Sequence, residues 1–328
     1  MTRKMKVIYL GTPEFAVKPL ESLIKSGIHE VVAVVCQPDR PVGRKAVITP
    51  PPTKVVAEKY GIPVLQYEKI RNGGAEELMK YNADIMVTCA YGQILTKDIL
   101  DVCKFGVINI HASLLPKYRG AAPIQYAIVC GETETGVTFM KTEEGLDTGD
   151  IIRAYKTEIK ECETSAELAE RLSDIGAEHI NEVLSSIENG EASYTKQDDS
   201  LANVVRTIKK ENVVVDFKGS GKETANFING MYPLAYSFCK GKKYKFYMAK
   251  QADDFSDGNK KVKAGEVIFA DKRLIVSCGS SAVEILELQE EGGKRLAARD
   301  FLNGRKILAG DVFSAGNNNA DADENKKR

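Results

Sequence analysis

Residues 84–113 read DIMVTCAYGQILTKDILDVCKFGVINIHAS. Two apolar runs, Asp84–Ala90 and Gly106–Ser113, bracket an amphipathic segment over Thr96–Val102. Apolar runs of this length, rich in β-branched residues and with little polar alternation, fit strands covered on both faces. Working outward, Lys6–Leu10, Glu30–Gln37 and Pro63–Gln66 repeat the pattern upstream, and Ala75–Tyr81 supplies another helical segment. Downstream, Thr135–Thr142 and Ile151–Ile159 add two strands. The spacing predicts an α/β domain, a mainly parallel sheet with helices on both faces. Thr164 followed by Glu167 has the pattern of a capping box and opens a predicted helix through Ile187, which Gly190 ends.

Beyond Gly190 the pattern changes. Glu191–Ala202 is polar and aperiodic, as in a linker. Short alternating strands are predicted at Val213–Phe217, Ala235–Phe238, Lys245–Lys250, Gly265–Phe269, Arg273–Cys278 and Val283–Glu287. Gly and Lys turns separate them, which predicts a small β-barrel with one helix near Ser220–Gly230. The closing NNNADADENKKR is a polar tail with too little apolar content to pack. The expected boundaries are 1–190 for a catalytic domain, 191–206 for a linker, 207–314 for the barrel and 315–328 for the tail.

With 328 residues, 43% hydrophobic and 28% charged, the chain can bury a core in each of two domains. Lys+Arg and Asp+Glu both number 46, so net charge alone does not point to a polyanion partner. The distribution is uneven: 206–263 holds thirteen Lys/Arg against six Asp/Glu, with Tyr232, Tyr236, Tyr244, Phe246 and Tyr247 interleaved. Such a face can grip nucleic acid, and a solvated lysine-rich surface is the alternative. Seven cysteines without a C-x-x-C pair fit reduced structural thiols, and three scattered histidines are too few for a zinc site. The first apolar run is too short for a signal peptide or membrane span, so a cytoplasmic protein with no membrane partner and no metal is expected.

Asn109 and His111 stand two apart at the end of a predicted strand, so both leave one face of the sheet. Ligands usually bind at the carboxyl ends of strands in open α/β sheets. An Asn amide can stabilise an oxyanion and an imidazole can shuttle a proton near neutrality. Asp147, in Gly145-Leu146-Asp147-Thr148-Gly149-Asp150, could orient the ring. These three suit transfer of a one-carbon acyl unit, yet spacing alone equally allows a structural histidine, and the Gly/Pro-rich 113–123 segment could be a turn. Gly11-Thr12-Pro13 follows the first strand but lacks the spacing of a dinucleotide-binding turn. The loop Gln37–Lys45, with Pro50-Pro51-Pro52 after it, is long, basic and stiffened by proline, so Arg40 and Arg44 could meet phosphates or base edges.

Taken together these segments resemble the methionyl-tRNA formyltransferase family from Val7 to about Lys306. The resemblance lies in GTPEF at 11–15, QPDRPVGR at 37–44, AYGQIL at 90–95, INIHASLLPKYRGAAPIQ at 108–125 and ETGVTFMKTEEGLDTGD at 134–150. The Asn–His–SLLP–Asp pattern alone would indicate only the wider group of enzymes that use 10-formyltetrahydrofolate. The 37–44 loop, the KYRGAAPIQ segment and the C-terminal barrel narrow it. The resemblance implies a Rossmann-like domain, a linker and an OB-like barrel. It implies formylation of the α-amino group of methionine on initiator methionyl-tRNA, with 10-formyltetrahydrofolate as donor and no metal. By position, Asn109, His111 and Asp147 match the catalytic trio, with Asn109 and protonated His111 expected at the oxyanion and Asp147 holding His111. Ser113, Leu114, Leu115 and Pro116 match the folate-binding segment, and Arg44 matches the basic position of the loop that enters the acceptor-stem end of the tRNA. Arg40, Lys45, Lys209 and Lys210 are expected to contact the tRNA as well, with a departure in that Lys209-Lys210 follow Thr207, where a further lysine is common. A monomer is expected. The chain has no Trp, and Phe217 and the Met231-Tyr232-Pro233 segment with Tyr236 stand where that family often carries tryptophans. Two rival readings remain at this point, a non-enzymatic RNA-binding module and a formyltransferase for a sugar amine.

Overall fold

The computed structural model describes residues 3–43, 45–253, 262–304 and 306–316. Contacts divide the chain into two compact units. The first comprises Met1–Pro123, Thr135–Thr157 and Ala169–Val205, and the second comprises Ile124–Glu134, Glu158–Leu168 and Arg206–Arg328.

The strands of the first unit are β1 (Lys6–Gly11), β2 (Glu30–Cys36), a short hairpin of β3 (Arg40–Val42) and β4 (Val47–Thr49), β5 (Val64–Gln66), β6 (Ile85–Cys89), β7 (Val107–His111), β8 (Arg119–Gly120), β9 (Glu134–Lys141), β10 (Ile151–Glu158) and β11 (Val204–Val205). Seven of them form one sheet in the order β10-β9-β7-β6-β1-β2-β5. The five from β7 to β5 are parallel, and β9 runs antiparallel to β7. Each predicted strand of this half is present. The helices along this part of the chain are α1 (Val17–Ser26), α2 (Pro52–Lys59), α3 (Gly74–Met79), α4 (Lys97–Leu100), α5 (Pro123–Val129) and α6 (Ser165–Glu188), of which α5 from Ile124 on and α6 through Leu168 belong to the second unit.

Alternation along the strands explains why both faces are covered. Ile8, Leu10, Ala33, Val35, Met86 and Val107 pack with Ala75, Leu78 and Ile99 from the α3 and α4 segments. On the other face a Cβ on Gly176 of α6 would lie 3.3 Å from both Ile110 of β7 and Pro19 of α1. The long helix begins as expected: Thr164 N and Oγ1 donate to Glu167 Oε2 at 2.9 and 2.7 Å, and Glu167 N donates back to Thr164 Oγ1.

The order places the topological switch between β1 and β6, where ligand crevices form in such sheets. Here the β1 turn is packed shut, since a Cβ on Gly11 would meet Ala16 Cβ and the Tyr9 ring at 2.8 Å. Thr12 Oγ1 and Gln37 Nε2 both donate to the Tyr91 carbonyl, which ties the loops together. The open chemistry lies one strand further, at β7.

In the second unit, β12 (Tyr236–Cys239), β13 (Lys242–Gln251), β14 (Val267–Ala270), β15 (Leu274–Ser277), β16 (Ala282–Glu290) and β17 (Leu296–Ala297) accompany α7 (Gly221–Gly230) and α8 (Ala298–Leu302). The antiparallel order is β12-β13-β16-β15-β14. Residues 311–314 bridge both edges: Phe238 and Ser314 exchange backbone bonds of 3.0 and 2.8 Å, while Val267 N donates to Asp311 O and Phe313 N to Gly265 O. The curled sheet is thereby closed, and Phe313 becomes its plug, 5.3 to 5.9 Å from the rings of Phe246, Tyr244 and Phe217.

Three expectations change. Val213–Phe217 is not a strand; Lys210–Val213 is a 3-10 turn, and only Val214 bridges to Tyr236. Val213, Val215 and Phe217 are nonetheless buried, so their alternation reports core packing rather than sheet pairing. The 191–206 linker is not a free tether, because its residues through Val205 belong to the first unit. Nor do all the interleaved aromatics make an outer platform, since Tyr244 and Phe246 lie in the barrel core. The tail from residue 317 lies outside the described residues.

Phe313→Ala should destabilise the protein by about 3–5 kcal/mol, the usual range for emptying a buried phenylalanine site. Denaturant unfolding followed by far-UV circular dichroism checks this, and an unchanged midpoint contradicts the role of the plug.

Candidate active site

β7 carries the site. Its backbone pairs with β6 on one side and β9 on the other, with Asn109 opposite Thr88 and His111 opposite Thr138. The period of two puts Asn109 and His111 on the same side as Val107, beyond the apolar cluster that ends at Ile99 and Cys103. The 142–150 loop returns from β9 and brings Asp147 to both.

Asp147 Oδ2 accepts the Gly120 amide at 2.8 Å and lies 3.7 Å from His111 Nδ1. Its Oδ1 accepts Asn109 Nδ2 at 3.3 Å. Asn109 Oδ1 in turn accepts Thr88 Oγ1 at 3.0 Å, so the amide presents its NH2 toward the aspartate. One NH2 hydrogen is used there, and the second remains for a substrate oxygen.

His111 is only 5% exposed. Its Nε2 lies 2.9 Å from the Tyr118 carbonyl. A carbonyl only accepts, so Nε2 carries the hydrogen, and the neutral ring has a bare Nδ1 facing Asp147. The ring is thus oriented by a backbone carbonyl. Asp147, expected to orient the ring and favour its charged form, stands 3.7 Å from Nδ1, where it would attract a positive charge on that nitrogen.

Two loops shape this arrangement. In the first, Ser113 Oγ donates to Lys117 O at 2.7 Å, and Thr138 Oγ1 donates to Ser113 O while accepting from Leu115 N. Ser113 and Leu115 are buried, and Leu114 and Pro116 are half-buried. The Ser113 hydroxyl therefore closes a turn. In the second loop Asp147 has φ of 51°, a left-handed conformation uncommon for a residue with a Cβ. Gly120 has φ of 108°, and a Cβ there would collide with the Val205 carbonyl oxygen.

Two residues of consequence have no motif of their own. Gln197 Nε2 donates to Asp147 O at 2.9 Å and Gly149 O at 2.7 Å. Asn203 accepts the Tyr118 amide on Oδ1 and the Arg119 amide on its carbonyl. Both come from the polar stretch read as a linker, where aperiodicity hid them. Arg119 lies inside the 108–125 segment but was given no role; it is buried and donates to Gln197 and Asp199.

A cleft of about 980 Å³ opens between the start of β7, the α4 segment and the 141–145 loop, lined by Lys97, Asp101, Val107, Ile108, Thr142 and Glu144 among others but not by the trio itself. Thr142 Oγ1 in its wall is buried without a hydrogen-bond partner. Leu146, next to Asp147, and Ile94, ahead of α4, are 56% and 83% exposed. No group of three or more possible metal ligands occurs among the described residues.

The basic residues are dispersed. Arg40 and Lys45 lie on and beside the β3–β4 hairpin, whose Val42, Val47 and Ile48 are also exposed. Arg40 Nη2 pairs with Glu68 at 2.7 Å. Arg44 lies outside the described residues. Lys209 and Lys210 are exposed in the second unit. Several lysines there are already paired, Lys240 with Asp311 and both Lys242 and Lys306 with Glu290. Lys243 lies 3.5 Å from the Tyr236 ring centroid, and burial lowers its pKa.

Comparison with known proteins agrees with this architecture. A family profile described as "Formyl transferase" matches residues 3–184, and one described as "Formyl transferase, C-terminal domain" matches 207–306. The chain is 43% identical over 310 residues to a methionyl-tRNA formyltransferase of Geobacter metallireducens, covering 93% of this chain and 97% of that protein. It is 41% identical over 317 residues to the one of Bacillus velezensis, covering 95% and 98%. Among solved structures, an N-formyltransferase of Helicobacter canadensis in complex with folinic acid and dTDP-3-aminofucose shares the fold at TM-score 0.65 and 21% identity, covering 86% of this chain and 98% of that one. HypX of Aquifex aeolicus in complex with tetrahydrofolic acid does so at TM-score 0.60 and 18% identity, covering 92% and 47%.

Gly120→Ala should lower stability by about 2 kcal/mol or more, since a left-handed backbone and a backbone collision both oppose a Cβ. Thermal unfolding measures it, and a melting temperature equal to the parent's would show that the 118–120 turn tolerates rearrangement.

Proposed function

Because the chain belongs to the methionyl-tRNA formyltransferase family, we propose that it transfers the formyl group of 10-formyltetrahydrofolate to the α-amino group of methionine on initiator tRNA, with Asn109 and His111 touching the reacting atoms and Asp147 acting through His111. The observation that carries the residue assignment is their convergence: an amide, a bare imidazole nitrogen and a carboxylate meet at the end of one strand.

10-Formyltetrahydrofolate supplies an electrophilic formyl carbon and N10 as the leaving nitrogen. Asn109 offers its remaining Nδ2 hydrogen to the formyl oxygen as negative charge develops there. His111 Nδ1 takes the proton that the attacking amine loses and returns it to N10 as the C–N10 bond breaks. Asp147 stabilises the imidazolium present between these two events, from 3.7 Å. Protons balance: one leaves the amine and one reaches N10.

The folate's heterocycle is assigned to the cleft beside Gly145 and Ile108. Its wall holds an unpaired buried hydroxyl at Thr142, and the exposed apolar Leu146 and Ile94 stand on the flanking loops. The two structural neighbours solved with folinic acid and tetrahydrofolic acid support this reading. Ser113 then serves the folate segment by closing its turn, while Leu114 and Pro116 are the side chains available to the ligand. Arg40, Arg44, Lys45, Lys209 and Lys210 are assigned to the tRNA, with Arg40 leaving Glu68 for a phosphate. The protein works as a cytoplasmic monomer without a metal.

Incubation with 10-formyltetrahydrofolate and methionyl-initiator tRNA should yield formylmethionyl-tRNA; transfer to an amino-sugar nucleotide instead would overturn the acceptor. His111→Ala should lower kcat by about 10²-fold or more, as expected for loss of a general acid–base. Near-parental kcat in that variant would remove His111 from the chemistry. Arg44→Ala should weaken use of the tRNA with folate affinity nearly unchanged. Equal loss toward both would mean that the loop shapes the active site.

A further inference from the structure

One buried side chain stands on an otherwise exposed strap. From Glu191 to Val204 every residue is exposed or half-buried except Gln197, which is 6% exposed. A polar residue buried alone on a surface strap needs a reason, because stripping its amide of water is costly unless every polar atom is satisfied. Here all are. Oε1 accepts Arg119 Nε at 3.0 Å and Nη2 at 2.8 Å, while Nε2 donates to Asp147 O and Gly149 O. The amide cannot be reversed, since that would set NH2 against guanidinium donors and oxygen against two carbonyls.

The chain positions of these partners matter. Arg119 sits between Tyr118, whose carbonyl accepts His111 Nε2, and Gly120, whose amide donates to Asp147 Oδ2. Gln197 therefore grips, with one planar group, both the turn that orients the imidazole and the loop that carries the carboxylate. The strap itself is anchored on either side. Thr195 exchanges backbone bonds of 2.8 Å with Ile151, and Val205 O accepts from Ala121 N. Asp147 holds a left-handed backbone that is disfavoured for a residue with a Cβ, so its loop needs outside restraint to stay in place.

We propose that Gln197, held by Arg119, is a positioning residue for formyl transfer: it sets the separation of His111 Nδ1 and Asp147 Oδ2 and touches no reacting atom. The proposal rests on the function assigned above. Glutamine is suited to the place because only a neutral amide both accepts from the guanidinium and donates to two carbonyls. A carboxylate would keep the arginine but repel the carbonyls.

The experiment is steady-state formylation of methionyl-initiator tRNA by the full chain, with Gln197→Ala, Gln197→Glu and each combined with His111→Ala. Gln197→Ala should lower kcat by about tenfold or more, the scale of a sub-ångström to ångström misplacement of a catalytic group, with KM for folate and tRNA within about twofold. Gln197→Glu should also be slow, and its rate relative to the parent should rise as pH falls and the new carboxyl gains a proton to donate. In the His111→Ala background the cost of either change should disappear, because nothing remains to be positioned. A KM increase at constant kcat, or an undiminished cost in the His111→Ala background, overturns the proposal. Absence of formyl transfer by the parent protein would overturn the assigned function as well, which separates the two failures.

Discussion

A carboxylate at the end of a folded loop must be held in place if it is to face an imidazole across a fixed gap. Asp147 meets that constraint with a backbone amide on one oxygen, a side-chain amide on the other and an imidazole nitrogen just beyond hydrogen-bond reach. A closer Nδ1 contact would tie the carboxylate to the resting ring. At 3.7 Å its attraction is felt chiefly when the ring is charged. The rest of the first unit can be read as support for this spacing. The sheet fixes Asn109 and His111 two residues apart on β7, the 113–120 loop turns its Tyr118 carbonyl and Gly120 amide inward, and the strap closes over both.

This support is mostly backbone and amide rather than ionic. Backbone groups have little freedom to lose, so donors and acceptors built from them hold their direction with small reorganisation. Glycine at 120 follows from the same logic, because the amide that reaches Asp147 belongs to a residue whose Cβ would strike Val205 O. The chemistry available to such a site is proton movement and charge stabilisation, which is what formyl transfer between two nitrogens requires.

The strands of the first unit were legible because burial on both faces leaves uninterrupted apolar runs, and the Thr164–Glu167 cap because its reciprocal bonds are local. Asn109 and His111 were legible as a pair for a similar reason, a period of two. Their link to Asp147, thirty-six residues beyond His111, came from the family resemblance rather than from spacing. The barrel was legible as a set of short strands, but Val213–Phe217 shows the limit: alternation reports which side chains are buried, and a segment packed against a sheet alternates as a strand does. Likewise Tyr244 and Phe246 look the same in sequence whether they face solvent or the interior.

The sequence by itself determined the strand pattern, the Thr164–Glu167 helix cap, the pairing of Asn109 with His111 and, through its resemblance, the chemistry of formyl transfer. These depend on neighbours within a few residues or on long motifs. Only the tertiary structure decided which nitrogen of His111 faces the Tyr118 carbonyl and which faces Asp147, that the polar 191–205 stretch is a strap, that Gln197 and Arg119 brace the site, and that residues 311–314 close the barrel. Except for the His111–Tyr118 contact, which spans seven residues, these rest on hydrogen bonds between residues far apart in the chain, and a single polar residue carries no periodicity by which such a partner could be foreseen.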